Sequence, residues 1–302
     1  MVLKSIHDRM GIQVEEDEKM SLPDFIICGT QKGGTTALME YLKQHPQICM
    51  PEREIHFFSW YYNKGIKWYE KYFDHDAMLY GEKSPSYMYP EPGLVAKRIH
   101  KELPSIKLIF MLRNPIKRAY SEYWMLVLNG EEKLPFSKAV WKKNRDYIGR
   151  GFYAKQIKEY LKYFDPENIK IIISEDFREN RNQRIKEVFR FLGIYPIEVE
   201  TLDIHVGGMP KSKILLNIAG LITNVAEKAV INSPTLRFLC WDVRGFFKRL
   251  NKIEGKKPPM DEETKEKLYK YFKPHNEELI DLLKDLEMPH LAETIRKKWK
   301  KK

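Results

Sequence analysis

Residues 24–36 read DFIICGTQKGGTT, and this stretch predicts the fold of the chain. The run Asp24–Gly29 is short, apolar and ends in glycine, as expected of a buried strand. A glycine- and threonine-rich turn follows, and then a helical pattern extends over residues 37–44 and stops before Pro46. The order strand, glycine-rich turn, helix is typical of a phosphate-binding turn in an α/β protein.

The same alternation of strand and helix recurs further along the chain. Residues 107–112 (KLIFML) and 169–174 (IKIIIS) are continuous apolar runs that predict two more buried strands. Helical patterns follow Pro115 and extend over residues 153–164 and 182–192. Strands of this kind alternating with helices indicate an α/β fold that is P-loop-like, with a central, mostly parallel sheet flanked by helices.

The domain organisation is predicted from changes in this pattern. Residues 1–22 resemble a loose polar arm, and residues 23–302 are predicted to form a single domain. The alternation is lost over residues 196–260, which are interpreted as an irregular, amphipathic insertion. Two helices are expected over residues 261–302 as a C-terminal embellishment, with Asp261 as the N-cap of the first.

Charge and cysteine content limit the class of partner and the compartment. The formal net charge of +11 favours anionic partners, but most lysines are interpreted as solvated surface, so no nucleic-acid partner is predicted. The three cysteines include no CxxC pair, so neither a disulfide framework nor a zinc site is indicated. No targeting or membrane-spanning segment is apparent, and a cytoplasmic location is predicted.

The turn before the first helix has the composition of a phosphate cradle. Gly33 and Gly34 allow the backbone to turn tightly, and the helix N-terminus adds its positive dipole. Lys32 adds a full charge, while Thr35 and Thr36 add hydroxyls. In the ATPase motif GxxxxGK[ST] the lysine directly precedes the hydroxyl residue, whereas Lys32 lies three positions before Thr35. A 5′-phosphate-type ligand without a required metal is predicted.

Several motifs together resemble the sulfotransferases that depend on 3′-phosphoadenosine-5′-phosphosulfate (PAPS), in particular the heparan sulfate and bacterial carbohydrate branch. The cradle, residues 23–38, resembles the family's 5′-phosphosulfate loop. Further matches, in the family's order, are EREIHFF (52–58), GEKSPSYM (81–88), LRNPIKRAYSEYW (112–124), GRGFYAKQIKEYL (149–161) and IIISEDF (171–177). The resemblance covers residues 23–195 well and implies in-line transfer of a sulfuryl group to a hydroxyl or amine. The resemblance favours a carbohydrate as the acceptor, and a lipid is the alternative.

Carried onto this sequence, the resemblance implies roles for residues at the transferred group. Lys32 would contact the 5′-phosphosulfate, and Lys83 would be a second lysine beside it, with Glu82 as a residue that could orient Lys83. Glu54 is the candidate general base, and His56 is the competing candidate. If their segment is extended, both side chains point to the same side.

The resemblance also implies a set of nucleotide contacts. Arg113 and Ser121 match the family's clamp on the 3′-phosphate, and Tyr153 would help to shape the pocket near the adenine. The family's basic loop near the C-terminal end is reduced here, with Lys211 and Lys213 as its candidate phosphate contacts. PAPS is therefore the expected co-substrate and its product PAP the expected ligand, and no metal is predicted.

The sequence is also compatible with other classes of protein. Residues 149–154 satisfy the dinucleotide pattern GxGxx[GA], but no buried strand precedes them. The chain could instead be a P-loop kinase or NTPase, or a non-catalytic protein that binds nucleotides or anionic polymers. The aromatic residues of 57–68 could stack on sugar rings or pack in the core. Residues 214–252 could gate an acceptor cleft or make peripheral membrane contact.

Overall fold

A parallel β-sheet forms the centre of the protein. The computed structural model describes residues 22–73, 77–142, 146–202, 209–210, 252–253 and 257–300. Its five-stranded sheet has the order β2-β3-β1-β4-β5, and every neighbouring pair is parallel. The strands are β1 (Phe25–Ile27), β2 (Ile48–Cys49), β3 (Leu79–Lys83), β4 (Lys107–Leu112) and β5 (Ile169–Ile173). The predicted α/β, P-loop-like fold class is confirmed.

Helices connect the strands and cover the sheet. They are α1 (Thr35–Leu42), α2 (Ile66–Glu70), α3 (Pro92–Glu102), α4 (Pro115–Leu128), α5 (Phe136–Ala139), α6 (Tyr153–Tyr160), α7 (Ser174–Glu179), α8 (Arg181–Leu192), α9 (Glu262–Asp285) and α10 (Pro289–Lys298). A π-helical turn covers Phe57–Tyr61, and 3-10 turns cover Tyr62–Lys64, Pro85–Met88, Gly149–Gly151 and Pro166–Asn168. Asp261 caps α9 as predicted, because its carboxylate accepts the Thr264 amide at 2.8 Å.

The sheet is buried on both faces, which explains why its strands are apolar throughout. In β4, Leu108, Phe110 and Leu112 join the core beneath α3, α6, α9 and α10. The alternate residues Ile109 and Met111 join the core beneath α1 and α8. Successive side chains of a strand point to opposite faces, so a strand covered on both sides needs apolar residues at every position.

The strand order places a crevice beside β1. The chain runs from β1 to β2 and β3 on one side, and then crosses to β4 and β5 on the other. The loops that follow β1 and β4 therefore diverge at the carboxyl ends of neighbouring strands, where open α/β sheets bind ligands.

Parts of the predicted organisation lie outside the described residues. The proposed arm lies there except for Leu22, and so does most of the predicted insertion, together with Lys211, Lys213 and residues 214–251. Two short strands, β6 (Met209–Pro210) and β7 (Lys252–Ile253), pair in antiparallel fashion. The division into an arm and one domain stays a prediction. Among the described residues, none of the helices combines the length and apolar character needed to cross a bilayer.

Candidate active site

A cavity of about 740 Å³ opens at the carboxyl ends of the strands. Its walls come from the turn before α1, the segment after β2, the residues after β3 and β4, and α7. Of the residues predicted from the sequence, the cavity is lined by Lys32, Gly34, Thr35, Thr36, Glu54, His56, Arg113 and Ser121. Side chains from separate motifs along the chain thus meet at one place.

The turn before α1 has the backbone of an anion cradle. Lys32 and Gly34 have positive φ angles of 67° and 106°, so the chain reverses sharply here. A Cβ on Gly33 would lie 2.7 Å from the carbonyl oxygens of Met111 and Thr30, so the turn lies directly against the backbone of β4. Helix α1 begins at Thr35 without a side-chain cap. Its first amides therefore face the cavity with the positive end of the helix dipole.

Lys83 links the cradle to the candidate base. The parallel pairing of β1 with β3 puts Lys83 opposite Ile27, beside the start of the turn. Its side chain is only 7% exposed. The ammonium donates to Thr36 Oγ1 at 3.1 Å and lies 2.9 Å from Glu54 Oε1. One buried cation therefore contacts both the phosphate turn and the carboxylate.

Glu54 and His56 form a pair at the same wall. His56 Nε2 lies 3.2 Å from Glu54 Oε2, and His56 Nδ1 lies 2.6 Å from Ser86 Oγ. Burial acts to raise the pKa of Glu54, but the hydrogen bond from His56 and the charge of Lys83 outweigh it, and the pKa is lowered from 4.5. Glu54 is therefore ionised near neutral pH. An ionised carboxylate only accepts hydrogen bonds, so Nε2 is the donor of this contact.

The two side chains meet for a different reason from the one expected. His56 is not extended: its φ of 57° is left-handed, and it precedes the π-helical turn Phe57–Tyr61. Its backbone amide donates to Ser84 Oγ at 2.9 Å, which fixes this turn to the residues after β3. The ring stacks on Trp60 with centroids 4.0 Å apart.

Glu82 does not orient Lys83. Consecutive residues of β3 point to opposite faces, so Glu82 turns into the core, where it is fully buried. Its carboxylate accepts from Ser84 at 2.5 Å, from Tyr87 at 2.7 Å and from Tyr69. Burial raises its pKa above 4.5 despite these donors. Since Ser84 also holds the His56 amide, Glu82 supports the candidate base pair from beneath.

Arg113 lies on the opposite wall, close to Lys32. Its Nη1 donates to the Lys32 carbonyl at 3.0 Å, while its buried Nε has no hydrogen-bond partner among the described residues. Burial and the charge of Arg178 lower its pKa to about 10. Tyr153 lies underneath and donates to the Arg113 carbonyl at 2.7 Å. Tyr153 is 1% exposed and lies beneath Arg113, outside the lining of the cavity, and its role near the adenine stays a prediction.

Lys257 contacts the cavity residue Ser121, and the sequence reasoning did not predict this. Its ammonium donates to Ser121 Oγ at 3.1 Å. Burial, followed by the charges of Lys32, Arg113 and Arg178, lowers its pKa to about 8. The four side chains therefore concentrate positive charge at this end of the cavity, which favours an anion. The available signal was the sequence Gly255-Lys256-Lys257 shortly before the Asp261 cap, a second lysine-containing stretch near the C-terminal end.

The dinucleotide pattern does not form a nucleotide loop. Residues 149–151 form a 3-10 turn, and among the described residues from 129 to 148 the regular structure before it is the short helix α5, with no strand. A Cβ on Gly151 would lie 2.7 Å from the Phe272 ring and 2.8 Å from Pro115. Gly151 therefore allows close packing against α4 and α9. No cluster of metal-ligating side chains occurs within the described ranges.

The fold and the cavity together define a class of protein. It is an α/β protein with an anion cradle at the carboxyl ends of its strands, and Lys83, Glu54 and His56 lie beside this cradle. A family model described as a sulfotransferase domain matches residues 22–287. The chain belongs to this sulfotransferase family, and the predicted resemblance is confirmed.

Curated and solved relatives agree with this assignment. The chain is 35% identical over 196 residues to human heparan sulfate glucosamine 3-O-sulfotransferase 5, covering 60% of this chain and 56% of that protein. It is 31% identical over 297 residues to mouse bifunctional heparan sulfate N-deacetylase/N-sulfotransferase 4, covering 89% of this chain and 30% of that protein. A solved sulfotransferase from Alicyclobacillus acidocaldarius superposes with a TM-score of 0.55 at 27% identity, over 72% of this chain and 99% of that one. The chain thus spans about half the length of the first relative and less of the second.

The prediction of a cytoplasmic location is wrong. The curated relatives are heparan sulfate sulfotransferases of human and mouse, a class that acts in the Golgi lumen. The prediction rested on unpaired cysteines and on the lack of a visible targeting segment. Neither feature fixes the compartment, because a domain with a large apolar core needs no disulfide wherever it resides.

Proposed function

We propose that the chain transfers a sulfuryl group from PAPS to a hydroxyl or amine of a carbohydrate. The position of Lys83 carries this proposal, since its ammonium contacts Thr36 of the cradle at 3.1 Å and Glu54 at 2.9 Å. A leaving group in the cradle and an acceptor at Glu54 would then lie on either side of one cation. The relatives named for heparan sulfate support a carbohydrate acceptor.

The residues present fit PAPS. Lys32 and the first amides of α1 suit the 5′-phosphosulfate, and Arg113, Ser121 and Lys257 suit the 3′-phosphate. The buried Arg113 Nε that has no partner among the described residues would gain one from a phosphate oxygen. Bound PAPS supplies an activated sulfuryl group on a nucleotide leaving group.

The chain's own residues would then carry the proton and the charge. Glu54, ionised because its pKa lies below 4.5, accepts the proton of the acceptor as sulfur is attacked. Lys83 and Lys32 stabilise negative charge on the sulfuryl oxygens and on the leaving oxygen. His56 holds Glu54 through Nε2, and its Nδ1 is engaged by Ser86. With both ring nitrogens occupied, His56 serves as a positioning residue and Glu54 as the base.

The test compares Glu54→Gln with Glu52→Gln. Glu52 is a matched control because its side chain is 80% exposed and pairs with Lys43 outside the cavity. Turnover would be measured with labelled PAPS on heparan oligosaccharides that carry free amines or unsulfated hydroxyls. We expect Glu54→Gln to lose about 10²- to 10⁴-fold in kcat with unchanged PAP affinity, and Glu52→Gln to match the wild type. Full turnover in Glu54→Gln would refute the assignment of the base.

A further inference from the structure

A buried carboxylate, that of Glu175, lies beside the side chains proposed for the 3′-phosphate. Strands β4 and β5 pair in register as far as Leu112 and Ile173, so the residues that follow these two strands lie next to each other. Glu175 is 8% exposed, and its Oε1 accepts the Asn114 amide at 3.2 Å. Asn114 directly follows Arg113 and caps α4. The strand pairing therefore brings the Glu175 carboxylate close to Arg113.

The residue after the last helix binds the second oxygen of this carboxylate. Trp299 is the C-cap residue of α10, and this helix packs against β5 and α7. Trp299 is 3% exposed, and its Nε1 donates to Glu175 Oε2 at 3.0 Å. Its ring also lies against Tyr153, whose hydroxyl donates to the Arg113 carbonyl at 2.7 Å. One carboxylate oxygen is therefore held by the backbone after β4, and the other is held by the C-terminal helix.

Glu175 and Arg113 lie near each other but do not pair. Burial and then the charge of Arg178 lower the pKa of Arg113, and the charge of Glu175 acts to raise it, so the carboxylate is within electrostatic range. Within the described part of the chain, the guanidinium nevertheless donates only to the Lys32 carbonyl, and its buried Nε has no partner. A guanidinium binds a carboxylate in the same bidentate way as a phosphate, so a Glu175–Arg113 pair would compete with a phosphate ligand.

We propose that Trp299 is a positioning residue that holds the Glu175 carboxylate away from Arg113, which leaves the guanidinium available to the 3′-phosphate. The Trp299 indole fixes Oε2 and the Asn114 amide fixes Oε1, so neither oxygen can turn towards Arg113 without losing a buried hydrogen bond. The charge of Glu175 still balances part of the positive charge around Arg113 when no ligand is bound. This inference rests on the proposed function, and it gives the end of the C-terminal helix a part in nucleotide selection.

The test is calorimetric titration with PAP and with ADP, in the wild type, Trp299→Phe and the double variant Trp299→Phe/Glu175→Gln. Phenylalanine keeps an aromatic ring but has no N–H, which releases Glu175 Oε2 to pair with Arg113. We expect Trp299→Phe to bind PAP about tenfold more weakly and ADP within about twofold of the wild type, because only PAP carries the 3′-phosphate. In the double variant, glutamine still accepts the Asn114 amide and has no charge, so PAP affinity should return to within about threefold of the wild type.

Two further variants separate this role from packing. Trp124→Phe is the matched control, because Trp124 is partly buried outside the cavity lining and its Nε1 has no acceptor among the described residues. Its PAP and ADP affinities should stay at wild-type values. Glu175→Gln alone leaves no carboxylate to compete for Arg113, so it should bind PAP at least as tightly as the wild type.

An equal loss of PAP and ADP affinity in Trp299→Phe would overturn the inference, because the indole would then only support the cavity. Wild-type PAP affinity in Trp299→Phe, a loss that persists in the double variant, or a selective loss of PAP affinity in Glu175→Gln would overturn it as well. The proposed function fails by a separate readout, the absence of sulfate transfer from labelled PAPS by the wild type. Transfer by a wild type whose PAP affinity does not depend on Trp299 would refute this inference and leave the reaction standing.

Discussion

The most discriminating perturbation of the nucleotide site is Lys257→Met, which removes an ammonium while keeping most of the side-chain volume. Lys257 donates to Ser121 at 3.1 Å. Its pKa is lowered to about 8 by burial and by the charges of Lys32, Arg113 and Arg178. A hydrogen bond to a charged group contributes about 1.5–3 kcal/mol. If Lys257 holds the 3′-phosphate, its loss should weaken PAP binding roughly 10- to 150-fold.

The assay is calorimetric titration with PAP and with ADP, without added metal. ADP lacks the 3′-phosphate, so Lys257→Met should bind ADP within about twofold of the wild-type affinity. Lys270→Met is the control, because the Lys270 side chain is 77% exposed, and its ADP affinity should also stay within about twofold.

The pH dependence of PAP binding adds a second readout. An anion binds the protonated amine more tightly and raises its pKa, so wild-type PAP affinity is full below pH 8 and falls as pH rises through the free-state pKa of about 8. In Lys257→Met, the PAP affinity should not fall over this pH range.

Two results would refute this reasoning. An equal loss of PAP and ADP affinity in Lys257→Met would show that the lysine supports the cavity without recognising the 3′-phosphate. Wild-type PAP affinity that stays constant from pH 7 to 9 would show that the amine does not titrate against the ligand. Equal wild-type affinities for PAP and ADP, or ADP binding only with magnesium, would favour a kinase or NTPase over sulfuryl transfer.

Two further predictions concern the carboxylates. Lys83→Met should raise the pKa of Glu54, which lies below 4.5 in the wild type. In a pH profile of the residual activity, the fall in activity at acid pH should therefore begin at a higher pH than in the wild type. An unchanged acid side of the profile would contradict the ion pair. Glu122→Ala should cost about 3–5 kcal/mol of unfolding free energy in urea, because the fully buried Arg118 loses its partner at 2.7 Å. Glu263→Ala, at an exposed site, should change stability by less than about 0.5 kcal/mol, and an equal effect of both would refute the argument.

The sequence predicted the sheet well because burial on both faces leaves a local signal. The apolar run 107–112 coincides with β4, and Asn114 caps the helix that was expected after it, accepting the Ile116 and Lys117 amides at 3.1 Å. Strand β2 carries no such signal. It has only the two residues Ile48 and Cys49, and its pairing with β3 is a tertiary contact that local periodicity does not report.

The residues of the candidate site also differ in whether a local sequence pattern could predict them. Residues within one motif, such as Lys32 and Thr36, could be predicted to lie together because they are neighbours at a helix N-terminus, and both line the cavity. Lys257 reaches Ser121 across 136 positions of sequence, and no local pattern encodes that contact. The left-handed backbone of His56 was missed for a related reason: it is stabilised by Ser84 and Ser86, which lie on another segment.

The Glu54–Lys83 contact couples the two halves of the proposed reaction. Before transfer, Lys83 divides its charge between the Glu54 carboxylate at 2.9 Å and the cradle residue Thr36 at 3.1 Å. If Glu54 accepts the acceptor's proton as proposed, it becomes neutral and its attraction for Lys83 largely ends. The full ammonium charge is then available to the cradle while negative charge develops on the leaving oxygen. Because Lys83 is buried, water screens neither interaction strongly. In the proposed reaction, proton removal on one side of Lys83 would therefore strengthen stabilisation of the leaving group on the other.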